Sequence, residues 1–172
     1  MPRVTYVKKA RKDNPICKAG ESYYWWKFNF GPKGYSLTPP KASQLTRSEF
    51  LSQMYSFEEQ IGALVVNTAD DLRDAVENIA EEIRALGEEQ TDKLCNMPEG
   101  LQEGPTGELL QIRYDECEAM ADELERIDFD DYSGPDWGPE KDGKLQNDPP
   151  EVFLEWLGEK LEEVQNVAYN GE

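Results

Sequence analysis

Between Leu72 and Leu86 the apolar residues fall at Leu72, Val76, Ile79, Ile83 and Leu86, at steps of 4, 3, 4 and 3. Steps that alternate between three and four keep a narrow stripe on one side of an α-helix, which is a coiled-coil seam. The pattern returns at Leu110, Cys117, Met120, Leu124 and Ile127, with Arg113 at one seam position. Between the runs, residues 96–107 hold three glycines and two prolines and break the helix. Two such helices of similar length, joined by a turn, bury their stripes against each other. The spacing therefore predicts an antiparallel helical hairpin. Its first arm starts near Thr68, where Asp70 and Asp71 suit the positive end of the helix dipole. Its second arm runs from about Thr106 to Ile127.

The flanking segments read as follows. Thr46-Arg47-Ser48-Glu49 has the form of a capping box, with the Thr hydroxyl as cap. The helix it opens carries Phe50, Leu51, Met54, Phe57, Ile61 and Leu64. Pro149-Pro150-Glu151 starts a last helix whose expected buried stripe is Val152, Phe153, Trp156, Leu157, Leu161 and Val164. Residues 128–150 are rich in Gly, Pro and Asp, with Asp128, Asp130, Asp131, Asp136, Asp142, Asp148 and an isolated Trp137. They are expected to wrap the bundle as a loop or to lack order in part. At the other end, Val4–Val7 reads as a short strand before a basic turn over residues 8–15. Ser22–Phe30 and Tyr35–Thr38, either side of Gly31-Pro32-Lys33-Gly34, read as an aromatic β-hairpin. The fold class is mainly α with a small β-hairpin head (α+β), built on an antiparallel helical hairpin or bundle. Residues 1–45 are the head and linker, 46–127 an acidic helical bundle, and 128–172 an acidic loop and a C-terminal helix packing on it.

Charge follows the same division. Residues 1–49 carry ten Lys/Arg against three Asp/Glu, a net of +7. Residues 50–172 carry eight against thirty-three, a net of −25. A reversal this sharp implies two surfaces with different partners.

The chain holds no histidine, which removes imidazole acid–base chemistry, Ser-His and Cys-His nucleophile pairs, and Cys/His zinc sites. Cys17, Cys95 and Cys117 are too few and too far apart for a four-ligand zinc site or a disulfide framework, and read as small buried hydrophobes. Asp128–Asp131 lacks the spacing of a calcium loop. Neighbouring carboxylates such as Glu81-Glu82 or Glu162-Glu163 follow from composition and make no acid–base dyad. No enzyme activity, cofactor or metal is expected. No apolar run approaches the ~20 residues that cross a bilayer, and the N-terminal residues lack a signal-peptide core. The expected compartment is the cytoplasm of a host cell, with no membrane partner.

Two constellations remain. Tyr23, Tyr24, Trp25, Trp26, Phe28, Phe30 and Tyr35 crowd the hairpin. Alternation sets Tyr23 and Trp25 on one face and Tyr24, Trp26, Phe28 and Phe30 on the other. Either these rings are the head's core, or one face stacks on bases while lysines meet phosphates. In the second case Lys8, Lys9, Arg11, Lys12, Trp25, Trp26, Lys27 and Lys33 are the contact residues. On the helices, Asp70, Asp74, Glu77, Glu81, Glu88, Glu108, Asp115, Glu118, Asp122 and Glu125 lie off the seam. Such a rod of carboxylates can compete with DNA for a basic groove, or can serve solubility alone.

Gly20-Glu21-Ser22-Tyr23-Tyr24-Trp25-Trp26-Lys27-Phe28, and the segment from Asn96 to Glu108 with the acidic helix after it, carry a resemblance. Over residues 1–127 the chain resembles small bacteriophage-encoded proteins with a zinc-ribbon-like head and a coiled-coil body. The resemblance implies origin and architecture, and no activity. With Cys17 as the head's one cysteine, the ribbon is depleted of its ligands. The expectation is a non-enzymatic phage accessory protein. Its acidic helices would bind and inhibit a basic, nucleic-acid-handling host defence protein by DNA mimicry. The alternatives are a nucleic-acid-binding adaptor working through the head, and a virion assembly protein. A second copy of the chain is a further candidate partner.

Overall fold

The computed structural model describes residues 1–134 and 149–169. Asp136, Trp137, Asp142 and Asp148 of the expected acidic loop lie outside the described residues. The chain is mainly helical with a small three-stranded antiparallel sheet at its start. It divides into two units, Met1–Ser56 and Phe57–Glu172. The division falls inside the first helix, α1 (Glu49–Gly62). Because residues 50–56 are uncharged, the two units keep the net charges of +7 and −25.

In the first unit β1 (Thr5–Val7), β2 (Tyr23–Lys27) and β3 (Lys33–Ser36) form a meander in that order. Thr5 lies opposite Trp25, and Trp25 opposite Tyr35, so one face carries Tyr23, Trp25 and Tyr35. The other carries Tyr6, Tyr24 and Trp26. The Tyr6 and Tyr24 rings stack across β1 and β2 at 4.8 Å between centroids.

The turn lies earlier than the sequence suggests. Lys33 pairs with Lys27 and Gly34 with Trp26, so the chain reverses over residues 28–32. The cause is Trp26, 5% exposed, whose indole lies across Gly34. A Cβ on Gly34 would stand 2.3 Å from the ring. Gly34 is thus a strand glycine that admits a close approach, and not a turn glycine. Phe28 and Phe30 consequently leave the strand face expected of them. Phe30 takes a φ of 59° and its ring is fully exposed.

The loop from β1 to β2 is tied by its own side chains. Asn14 Oδ1 accepts from the backbone N–H of Ile16 (3.0 Å) and Cys17 (2.9 Å), and Asn14 Nδ2 donates to Cys17 Sγ (3.1 Å). Asp13 accepts from the N–H of Ala19, and Glu21 from that of Lys18. Further on, α1 is capped by Ser48, whose Oγ accepts from Leu51 N–H at 3.3 Å. The expected cap, Thr46, turns its hydroxyl instead to the N–H of Ser48, which moves the helix start by two residues. Leu64 falls beyond the end of α1.

In the second unit α2 (Ala69–Cys95) starts as expected, with Thr68 Oγ1 accepting from Asp71 N–H at 3.1 Å. After the short α3 (Glu99–Gln102) comes α4 (Pro105–Glu125). The cross-links Arg73–Asp130, Arg84–Asp122 and Gly87 against Cys117 run in opposite senses along the two chains, so α2 and α4 are antiparallel. Every apolar seam residue expected on both helices is buried, and Gln90, at the next seam step of α2, satisfies its amide on Leu86 C=O. A Cβ on Gly87 would come within 2.9 Å of Cys117 Cβ, so here the Cys117 side chain of α4 rests directly on the α2 backbone.

α5 (Glu151–Gln165) buries Phe153, Leu157 and Val164 of its expected stripe. Val152 is 55% exposed: it sits one residue off the packed face. Trp156 is half-buried because its Nε1–H donates to Asp131 (2.7 Å). Its ring also meets Tyr132 and Phe153.

Gly34→Ala is expected to destabilise the first unit by about 1–3 kcal/mol, the usual cost of overfilling a packed position. Denaturant unfolding followed by tryptophan fluorescence measures this. Unchanged stability would mean that the Trp26 ring can swing clear.

Candidate functional site

The candidate site in the second unit is the exposed, acidic outer surface of the α2–α4 hairpin. Asp70, Asp74, Glu77, Glu81, Glu88 and Asp92 follow one another along the side of α2 opposite Leu72, Ile83 and Gln90, and all are exposed. From Asp70 to Asp92, α2 carries nine acids against two arginines over about 33 Å at 1.5 Å per residue. α4 carries seven acids against one arginine. The net of thirteen negative charges is about one per 2.5 Å of axis, against about one per 1.7 Å for duplex DNA. The hairpin thus approaches the linear charge density of a duplex.

Most of the cations described in this unit are consumed internally. Arg84 reaches across from α2 to the α4 carboxylates Asp122 (2.9 Å), Glu125 and Glu118 (3.8 Å). Hydrogen bonding to Glu125 raises the Arg84 pKa, and the same bond holds Glu125 below the usual carboxylate range. Arg73 pairs with Asp130 (2.5 Å) and Asp70 (3.5 Å), and Lys93 with Glu89. Lys160 pairs with Asp131 (2.9 Å) and Glu163 (3.5 Å). Asp131, held by Lys160 and Trp156, is likewise lowered.

These pairs sort the ten acids expected to meet a partner. Glu118, Asp122 and Glu125 surround Arg84, and Asp70 lies beside Arg73. Asp74, Glu77, Glu81, Glu88, Glu108 and Asp115 make no ion pair among the described residues and face outward. Between the ends of the two arms is an open hollow of about 390 Å³ lined by Glu88, Thr91, Asp92, Gln111 and Tyr114. Arg84 as an organising residue was missed in the sequence. The signal lay in Glu118, Asp122 and Glu125, whose steps of four and three put them on one flank of α4.

In the first unit Lys8, Lys9, Arg11 and Lys12 are exposed on the ordered loop, and Lys27 and Lys33 are exposed at the base of the turn. Lys33 Nζ lies 4.7 Å from the Trp25 ring centroid, a cation–π contact. Trp26 is core and cannot stack on a base, which corrects its place among the nucleic-acid-contacting residues.

Cys17 and Cys117 are buried, and burial pushes the Cys117 thiol up to about 12. Cys95 is exposed at the end of α2, contrary to its expected burial. Among the described residues no group of three or more His, Cys, Asp or Glu is placed to hold a metal ion. No described helix is long and apolar enough to cross a membrane. No protein-family model, no curated protein and no solved structure matches the chain.

Arg84→Ala is expected to cost about 1 kcal/mol at neutral pH, the upper end for exposed ion pairs. Glu125 titrates lower when folded, so its contribution is complete above the unfolded value of about 4.3 and is lost as pH falls through the folded one. The gap between wild type and variant should therefore close on acidification, as read by denaturant unfolding at neutral and acid pH. A gap that stays constant would mean Arg84 acts through packing alone. Separately, brief treatment of the native protein with iodoacetamide at mildly alkaline pH should add one label, at Cys95, by intact mass. Unfolded protein should take three.

Proposed function

We propose that this protein is a non-enzymatic binding protein whose α2–α4 surface occupies the groove of a basic, nucleic-acid-handling protein in place of nucleic acid. The observation that carries this is the division of the ions. Four of the unit's cations, Arg73, Arg84, Lys93 and Lys160, are spent on internal pairs. The outward row Asp74, Glu77, Glu81 and Glu88 is left without a cation among the described residues. A row of one sign along about 21 Å accelerates encounter with a basic partner and favours a groove shaped for a polyanion. The acid-lined hollow beside Glu88 and Asp92 has room for a partner's arginine. A bacteriophage setting and a host defence target rest on the resemblance of the two sequence motifs.

The test is capture of partners by the full chain from nuclease-treated bacterial lysate, with added duplex DNA as competitor. A DNA-binding protein that is held by the wild type and released by duplex is expected. Reversal of Asp74, Glu77, Glu81 and Glu88 to Lys should abolish its capture while the circular dichroism of the helices stays unchanged. A folded reversal variant that still captures it would overturn the proposal.

A further inference from the structure

The first unit holds a hollow of about 690 Å³, walled by the N-terminal residues, the β2–β3 turn and residues 45–55. Three cationic side chains line it, Arg3, Lys27 and Arg47, and no carboxylate does. Its apolar walls are Phe28, Leu51 and Tyr55. Arg47 is held at the rim by donating one Nη1–H to the Asn29 carbonyl (3.0 Å), which leaves its other donors for a ligand. The size is that of a small-molecule site, and arginines with aromatic rings recognise phosphate and a flat π-system together. Beside the hollow, Phe30 takes a φ of 59° with its ring wholly in solvent. A bulky residue in that region is strained, and the exposed ring recovers nothing from packing. A strained, solvated ring two residues from Phe28 is a second sign that the turn is shaped for a ligand rather than for stability.

The geometry points to a nucleotide-binding site: Arg3, Lys27 and Arg47 take the phosphate, and Phe28 and Tyr55 flank the base. It is distinct from the basic loop of Lys8, Lys9, Arg11 and Lys12, and it does not rest on the acidic hairpin of the other unit. The ligand chemistry is a base joined to a phosphate, met either in a free nucleotide or in a single strand.

Calorimetric titration of the full chain tests this with adenosine 5′-monophosphate, a short oligothymidylate and an oligoglutamate as probes. Binding of the mononucleotide identifies a free nucleotide as sufficient; binding of the oligothymidylate alone identifies a strand. In either case Arg3→Ser with Arg47→Ser should weaken binding at least tenfold, and Lys8→Ser with Lys9→Ser less than twofold. Arg3→Ser alone should weaken it several-fold, and it spares the Arg47–Asn29 bond should the double variant unfold. Three results would overturn the site: no binding of either nucleotide probe, equal loss in the pocket and loop variants, or oligoglutamate binding as tightly. Self-association of the chain that the Arg3 and Arg47 substitutions abolish would do the same, because the acidic helices of a second copy would then be the occupant.

Discussion

Everything in the second unit depends on an apolar seam that must hold two like-charged helices side by side. Leu72, Val76, Ile79, Ile83 and Leu86 meet Leu110, Cys117, Met120, Leu124 and Ile127, all buried. The attraction is short-ranged and not weakened by ionic screening, whereas the repulsion between the helices' outer faces is long-ranged and screened. Close approach at Gly87 tightens the seam, and Arg84 places one cation where three carboxylates of α4 would otherwise face α2 bare. The outer faces are then free to stay uncompensated. A surface this acidic is tolerable because the stability of the hairpin is vested elsewhere.

The parts of this fold that follow a strict period were legible. The steps of three and four fixed which side of α2 and α4 is buried, and the Gly/Pro-rich break fixed where the chain reverses. Alternation likewise set Tyr23 and Trp25 apart from Tyr24 and Trp26. What escaped depends on neighbours far along the chain. Which of two adjacent tryptophans is core turns on Gly34 standing opposite Trp26, and that is a matter of register. The choice of Ser48 over Thr46 as cap is a contest between two hydroxyls with similar local claims. Val152 lies one step from a face whose position is set by Asp131 and Tyr132, which precede it by about twenty residues.

The acidic surface was visible in composition, but the division between its paired and unpaired carboxylates was not. Spacing shows that Glu118, Asp122 and Glu125 share a flank of α4; only the rotation of α4 against α2 turns that flank toward Arg84. The cationic hollow was hidden for a similar reason. Arg3, Lys27 and Arg47 are spread over the first unit, and no motif joins them. The basic run at residues 8–12, which a reader of the sequence notices first, lies on a loop whose order comes from Asp13, Asn14 and Glu21.

That loop carries one further implication. Its tight bend at residues 14–17 is closed by the side-chain amide of Asn14, which accepts two backbone N–H groups and donates to Cys17 Sγ. An amide neither binds zinc at neutral pH nor oxidises. The two bonds to backbone N–H need no metal, so the bend does not depend on the ion that a thiolate knuckle requires, and the head's shape is insulated from the metal supply of its surroundings.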